Sequence, residues 1–165
     1  MRFKVAPEPR DLAFLGSARR AVPLVPGTVE DCCSRLVERT DVASREDARE
    51  YLTFLRALEL VEETPRGYRR RRADVERTAL ADAFERRVFG AREVLDAVRE
   101  ANGNGGTTVE EAFDALREHV PRWERDRYAD WEREWRERAR RLLAWAATFG
   151  LVVREDGTFR SAEST

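Results

Sequence analysis

The chain is written twice. Thr28-Val29-Glu30-Asp31 returns as Thr108-Val109-Glu110-Glu111, with Leu36 and Glu38 echoed by Leu116 and Glu118. The same shift sets Phe14-Leu15 against Val94-Leu95, and Arg19-Arg20-Ala21 against Arg99-Glu100-Ala101. A slightly longer shift sets Leu52, Phe54, Leu58, Leu60, Val61 and Tyr68 against Leu143, Trp145, Phe149, Leu151, Val152 and Phe159. Self-similarity on this scale predicts a pair of like supersecondary units, and it narrows the fold more than any short motif here.

The first unit is expected over residues 8–75. After Pro7-Glu8-Pro9, helical spacing of Leu12, Leu15, Ala18 and Arg19 runs to Ala21, and Pro23 and Pro26-Gly27 stop it. Thr28 caps a second helix, with Asp31 placed to reach back in a capping box, and Cys32, Leu36 and Val37 turned to the core. Ser44 caps a third, whose apolar stripe is Ala48, Tyr51, Leu52, Leu55 and Leu58. Leu60 to Glu63, the turn Thr64-Pro65-Arg66-Gly67, and Tyr68 to Arg71 then read as a hairpin.

The second unit, expected over 76–165, repeats that order. A long helix is predicted from about Thr78 to Ala101, with Gly90 as a weak point, before the breaker Asn102-Gly103-Asn104-Gly105-Gly106. Thr108 opens the next helix and Pro121 marks its end. A long third helix follows from about Asp126 to Phe149, with Trp131, Trp135, Leu142, Trp145 and Phe149 at helical spacing. The hairpin of Leu151 to Arg154 and Thr158 to Arg160 closes the unit, and the tail from Ser161 is expected to fray.

Three helices and a strand-turn-strand, mainly α with small β-hairpins, resembles the winged helix-turn-helix fold, here in tandem. The resemblance rests on Ala57-Leu58-Glu59-Leu60-Val61-Glu62-Glu63 followed by Gly67-Tyr68. In the second unit it rests on Thr148-Phe149-Gly150-Leu151-Val152-Val153 followed by Gly157-Thr158-Phe159. It implies a third helix that enters the major groove and a hairpin, the wing, that meets the phosphate backbone. The third helix of the second unit is longer than that pattern uses.

The densest charge lies at the first wing, in Arg66 and the run Arg69-Arg70-Arg71-Arg72. Such a run neutralises phosphates if it is free, and is a solvated connector if it is paired. Strand alternation sends Arg69 and Arg71 to one face and Arg70 and Arg72 to the other, with one pair expected to meet acids such as Asp74 and Glu76. On the third helix, Arg45, Arg49, Thr53 and Arg56 are the groove candidates, opposed by Glu46 and Glu50 through phosphate repulsion. Trp123 and Tyr128 fall outside the apolar stripe of the second unit, and mark a candidate partner-binding surface.

Charged residues make up 38% of the chain but leave a net charge of only -1, so the surface is patterned rather than polarised. Lys4 is the only lysine. Arginine in place of lysine, with abundant acids, fits GC-rich coding and hints at a halophilic archaeal source. Near-neutrality against such an acidic background would fit nucleic-acid binding. Cys32 and Cys33 are adjacent, about 100° apart on a helix, and read as reduced thiols of a cytoplasmic protein. With His119 the only histidine, no zinc site or other metal site assembles, and no cofactor motif or catalytic set stands out. The N-terminus carries no apolar signal core, and no run reaches membrane-spanning length.

The chain is thus read as a non-enzymatic binder of double-stranded DNA, a transcriptional regulator or chromosome-associated factor. The alternative is a winged-helix adaptor that binds a protein partner or a second copy of itself.

Overall fold

The structure is a computed structural model and describes residues 2–72, 75–101 and 105–162. Asp74 and the breaker residues Asn102, Gly103 and Asn104 lie outside the described residues. The chain divides into two units, Met1–Val88 and Phe89–Thr165. The first therefore takes in a further helix and an N-terminal stretch in addition to the 8–75 core.

The first unit runs α1 (Leu12–Ala21), α2 (Val29–Arg39), α3 (Arg45–Ala57), β1 (Val61–Thr64), β2 (Gly67–Arg70) and α4 (Arg77–Arg87). Each early helix starts where a short polar side chain takes an unpaired N–H. Asp11 accepts from Phe14, Thr28 from Asp31, and Ser44 from Asp47. The expected box at α2 is half made, because the Asp31 carboxylate accepts instead from Arg35 Nε at 3.3 Å. Leu15, Ala18, Leu36, Ala48, Phe54 and Leu55 are fully buried. Each leucine or phenylalanine among them contributes roughly 1.5–3 kcal/mol by leaving water. Cys33 joins this core, and Val37 is only half-buried. Residues ahead of Pro7 also pack: Phe3, Val5 and Ala6 are buried, and Phe3 pairs in parallel with Val88.

The second unit runs α5 (Ala91–Glu100), α6 (Val109–Arg117), α7 (Arg122–Arg127), α8 (Trp131–Thr148), β3 (Val152–Glu155) and β4 (Thr158–Ser161). The single helix expected over 78–101 is two, α4 and α5. Gly90 breaks it at φ 89°, a left-handed conformation that most side chains resist. It also sits under Leu116 and Leu142, whose methyls a Cβ would meet at 2.9 and 3.1 Å. The helix expected over 126–149 is likewise two, α7 and α8, parted at Tyr128 to Asp130. At α6 the capping box is complete, since Glu111 is long enough to reach back to the Thr108 N–H. Trp135, Leu142, Trp145 and Phe149 are buried as their spacing predicts. Trp131 is the exception: it is half-buried with the Arg125 guanidinium 4.9 Å over its ring. Ser161 does not fray either; it is buried in β4, opposite Val152.

The two units repeat down to single hydrogen bonds. Gly27 exchanges N–H···O bonds with Tyr68, and Thr107 does so with Phe159, adding a third short strand to each wing. Leu60 N–H donates to Leu55 and Glu59 to Arg56; Leu151 donates to Ala146 and Gly150 to Ala147. This is the Schellman closure of a helix, and it needs a left-handed residue, supplied by Glu59 (φ 64°) and Gly150 (φ 76°). The insertion that lengthens the second shift in sequence is α7 with the start of α8.

Candidate nucleic-acid interface

The wing of the first unit is a tight antiparallel hairpin with Glu62 opposite Arg69 and Val61 opposite Arg70. Its approach to the rest of the unit is close. A Cβ on Gly67, which holds φ 130°, would fall 2.3 Å from the Gly27 carbonyl oxygen. The tip, Pro65-Arg66, projects into solvent, and Arg66 has no ion-pair partner among the described residues.

The arginine run is largely spoken for. Arg69 Nε donates to Glu62, its cross-strand neighbour. Arg71 Nη1 donates to the carbonyl of Glu59 at 3.2 Å and reaches its carboxylate at 3.5 Å. Alternation therefore places Arg69 and Arg71 beside acids as expected, but the acids are Glu62 and Glu59. Glu76 instead caps α4, accepting from the N–H groups of Thr78 and Ala79. Arg70 turns inward: its Nε donates to the Val22 carbonyl (3.0 Å) and its Nη2 to that of Arg20 (2.9 Å). Burial lowers its pKa, and the charges of Arg19, Arg20 and Arg39 lower it further. Arg72 is exposed, with no ion-pair partner among the described residues.

The groove face of α3 is similarly occupied. Arg56 pairs with Glu63 on β1 at 2.7 Å and lies 5.1 Å over the Phe3 ring, so it braces helix to wing. The Thr53 hydroxyl donates back to the Arg49 carbonyl at 3.0 Å. Arg45 donates to Ser34 on α2 at 3.1 Å. Arg49 leans on the Cys33 thiol, whose pKa is raised by burial and pulled back by Arg49 and Arg45. Arg45 and Arg49 remain exposed, between the exposed carboxylates Glu46, Asp47 and Glu50. The sequence places these groups on one face; it does not reveal which of them already have internal partners.

Glu59 is the residue that sequence reading missed. Its carboxylate gathers Arg86 at 2.9 Å, and Arg71 and Arg87 each at 3.5 Å. The Arg86 hydrogen bond is the main reason its pKa lies below the ordinary glutamate value. The only sequence signal was its alignment with Gly150, a glycine position filled by an acid.

The second unit is built differently at the same places. Its wing tip is Glu155-Asp156-Gly157, and Arg160 pairs with Glu155 at 2.9 Å. On α8, Arg136 is held by Glu110 and Arg140 by Glu137. Arg138 is half-buried, donating to the Phe89 carbonyl at 3.0 Å, and desolvation pulls its pKa down to about 10. Nearby Trp135 Nε1 donates to buried Glu124 at 2.9 Å. Trp123 and Tyr128, on and just after α7, are 57% and 42% exposed, and the Arg127 guanidinium lies 5.8 Å over the Tyr128 ring.

Among the described residues there is no group of three or more His, Cys, Asp or Glu placed to hold a metal. No described helix is long and apolar enough to cross a membrane. Both cysteines are free and buried, and burial pushes the Cys32 thiol up to about 11.

The halobacterial double winged helix domain matches residues 1–165, the whole chain. The chain belongs to that family. The tandem winged-helix architecture and the halophilic hint in the arginine-for-lysine composition are both in line with it. No curated protein and no solved structure matches the chain. A double winged helix suggests a DNA-binding or regulatory role, and winged-helix families are typically not enzymes.

Proposed function

We propose that this double winged helix protein binds double-stranded DNA through its first unit, mainly by phosphate contacts, as a transcriptional regulator or chromosome-associated factor. The observation that carries this reading is the contrast between the wings. The first presents Arg66 at its tip and Arg72 at its end, both without an ion pair among the described residues, whereas the second presents Glu155 and Asp156. Phosphate repels the second tip and attracts the first.

Arg45, Arg49 and Thr53 are the groove contacts on α3 in this reading. Arg56, Arg69, Arg70 and Arg71 hold the wing in place rather than bind. With Glu46 and Glu50 on the same face, base discrimination is weak and the affinity is chiefly electrostatic. The buried free thiols fit a reducing cytoplasmic setting.

A second reading, an adaptor for a protein partner, draws on exposed Trp123 and Tyr128, since aromatic side chains with arginine are the usual anchors of protein interfaces. The two readings separate in one experiment. Fluorescence anisotropy of labelled duplex DNA at rising salt shows tight, salt-sensitive binding if the first holds. If the second holds, duplex is not bound at low salt, and a partner co-purifies after nuclease treatment.

A further inference from the structure

One loop of the first unit holds adjacent large apolar side chains in water. It joins α1 to α2 as Pro23-Leu24-Val25-Pro26-Gly27, with Leu24 52% and Val25 74% exposed; Val25 is the most exposed large apolar residue among those described. The loop is nevertheless tied down. A proline on each side fixes φ, and backbone bonds hold both ends to the wing. The Arg70 N–H donates to the Pro23 carbonyl at 2.7 Å, and Gly27 exchanges two bonds of 2.8 Å with Tyr68. Leu24, Val25 and Pro26 therefore span the stretch that Arg69 alone covers on β2, and the surplus bulges out from the sheet edge.

The bulge lies between the two wing arginines that have no ion pair among the described residues. At one end Gly27 packs against Gly67, next to Arg66 at the tip. At the other, Leu24 lines a cleft of about 400 Å³ with Glu62 and Arg69 to Arg72. The repeat supplies an internal comparison. The shift that sets Thr28 on Thr108 sets Leu24-Val25 on Asn104-Gly105, and the second wing tip is Glu155-Asp156. The apolar pair thus goes with the basic tip, and the other unit has neither. Cations on both sides of the pair favour a polyanion over an apolar protein face.

We propose that Leu24 and Val25 form an apolar wedge that enters the minor groove of the bound duplex, between the phosphates held by Arg66 and Arg72, and opens a base step. The wedge rests on the DNA-binding reading and adds to it the part of the affinity that salt does not screen. Grooves alternate along a duplex, so with α3 in the major groove the flanking wing meets the backbone and the minor groove beyond it. Aliphatic side chains inserted there unstack a step and bend the duplex, and their burial offsets the unstacking cost. A loop already fixed by prolines and backbone bonds loses little freedom on insertion.

The test compares the whole parent protein with the double variant Leu24→Ser, Val25→Ser and with the conservative Leu24→Met. Both side chains are exposed, so the fold tolerates these changes, which melting temperatures check. The probe is a short duplex rich in flexible TA steps, read by anisotropy across salt and by end-to-end energy transfer at saturation. The wedge predicts that the parent draws the duplex ends together, that Leu24→Met does so too, and that the serine variant does not. Affinity of the serine variant is expected to fall about tenfold with an unchanged salt slope, because apolar burial is lost and no phosphate contact is. A serine variant that binds and bends like the parent, or a parent that binds without bending, overturns the wedge and leaves the DNA reading standing. A parent that binds no duplex at low salt overturns both. A partner that then co-purifies with the parent and not with the serine variant assigns the loop to a protein interface instead.

Discussion

Glu59 and Gly150 hold the same place in the two units: each has a positive φ, 64° and 76°, and each donates its N–H back to close the preceding helix. Glycine is the inexpensive solution there. In the first unit an acid keeps the strained conformation and uses its carboxylate to hold Arg71, Arg86 and Arg87. The strain and the ion pairs belong to one residue, so substitution can separate them.

Glu59→Gln and Glu59→Gly both remove the charge, but only glycine relieves the backbone. The left-handed conformation costs a non-glycine residue roughly 1–2 kcal/mol, offset in part by the extra unfolded-state freedom of glycine. Urea denaturation is expected to rank Glu59→Gly above Glu59→Gln by roughly 0.5–1 kcal/mol. The reverse order would mean that the left-handed turn carries no strain.

The same carboxylate gives stability an acid limb. Its pKa is lower in the folded protein than in the unfolded chain, so its contribution is complete above the unfolded glutamate value and is lost as pH falls through the folded one. Midpoints of denaturation measured from neutral pH downward are expected to drop below about pH 4.3, the unfolded glutamate value, and to drop less in Glu59→Gln. A variant as acid-sensitive as the parent would remove Glu59 from the account.

Cys32 contributes to an alkaline limb, with the opposite sign, alongside Cys33, Tyr51 and Tyr68, whose pKa values burial also raises. The folded pKa of Cys32 is raised to about 11, first by burial and then by the charge of Asp31. The neutral thiol is favoured in the fold, so stability is complete below the unfolded thiol value and declines as pH rises toward 11. Cys32→Ala is expected to flatten that decline in part. The folded protein is also expected to react slowly with thiol reagents at neutral pH, which a colorimetric thiol assay with and without denaturant checks.

Two glycines with positive φ separate crowding from strain. At Gly67 a Cβ would strike the Gly27 carbonyl at 2.3 Å, whereas at Gly157 nothing lies within 4 Å. Gly157→Ala is expected to cost about 1–2 kcal/mol from the backbone alone. Gly67→Ala adds a clash with a hydrogen-bonded backbone and is expected to cost about 3 kcal/mol or more, with loss of the wing's third strand. Equal costs would show that the wing can move away from Gly27.

Much of this was legible in the residues. The Thr28 and Thr108 caps, the hydrophobic stripes and the paired hairpins follow from periodicity and capping chemistry, and the repeat itself is visible at the level of single letters. Helix ends were harder. Gly90 was readable only as a weak point, because a left-handed glycine and a tolerated helical one look alike until Leu116 and Leu142 are seen above it. The candidate site divided the same way. Arg66 and the run from Arg69 are plain in sequence, but which arginines are free depends on Glu59, Glu62 and Glu63, whose reach is set by the hairpin register.

The contrast between the two wings is the central claim, and one comparison tests it: duplex DNA affinity across salt for the parent, for Arg66→Gln with Arg72→Gln, and for Arg154→Gln with Arg160→Gln in the second wing. The account predicts steep salt dependence in the parent, a loss of about one to two in the logarithmic slope for the first pair, and little change for the second. Equal losses from both wings, or none from the first, would contradict it.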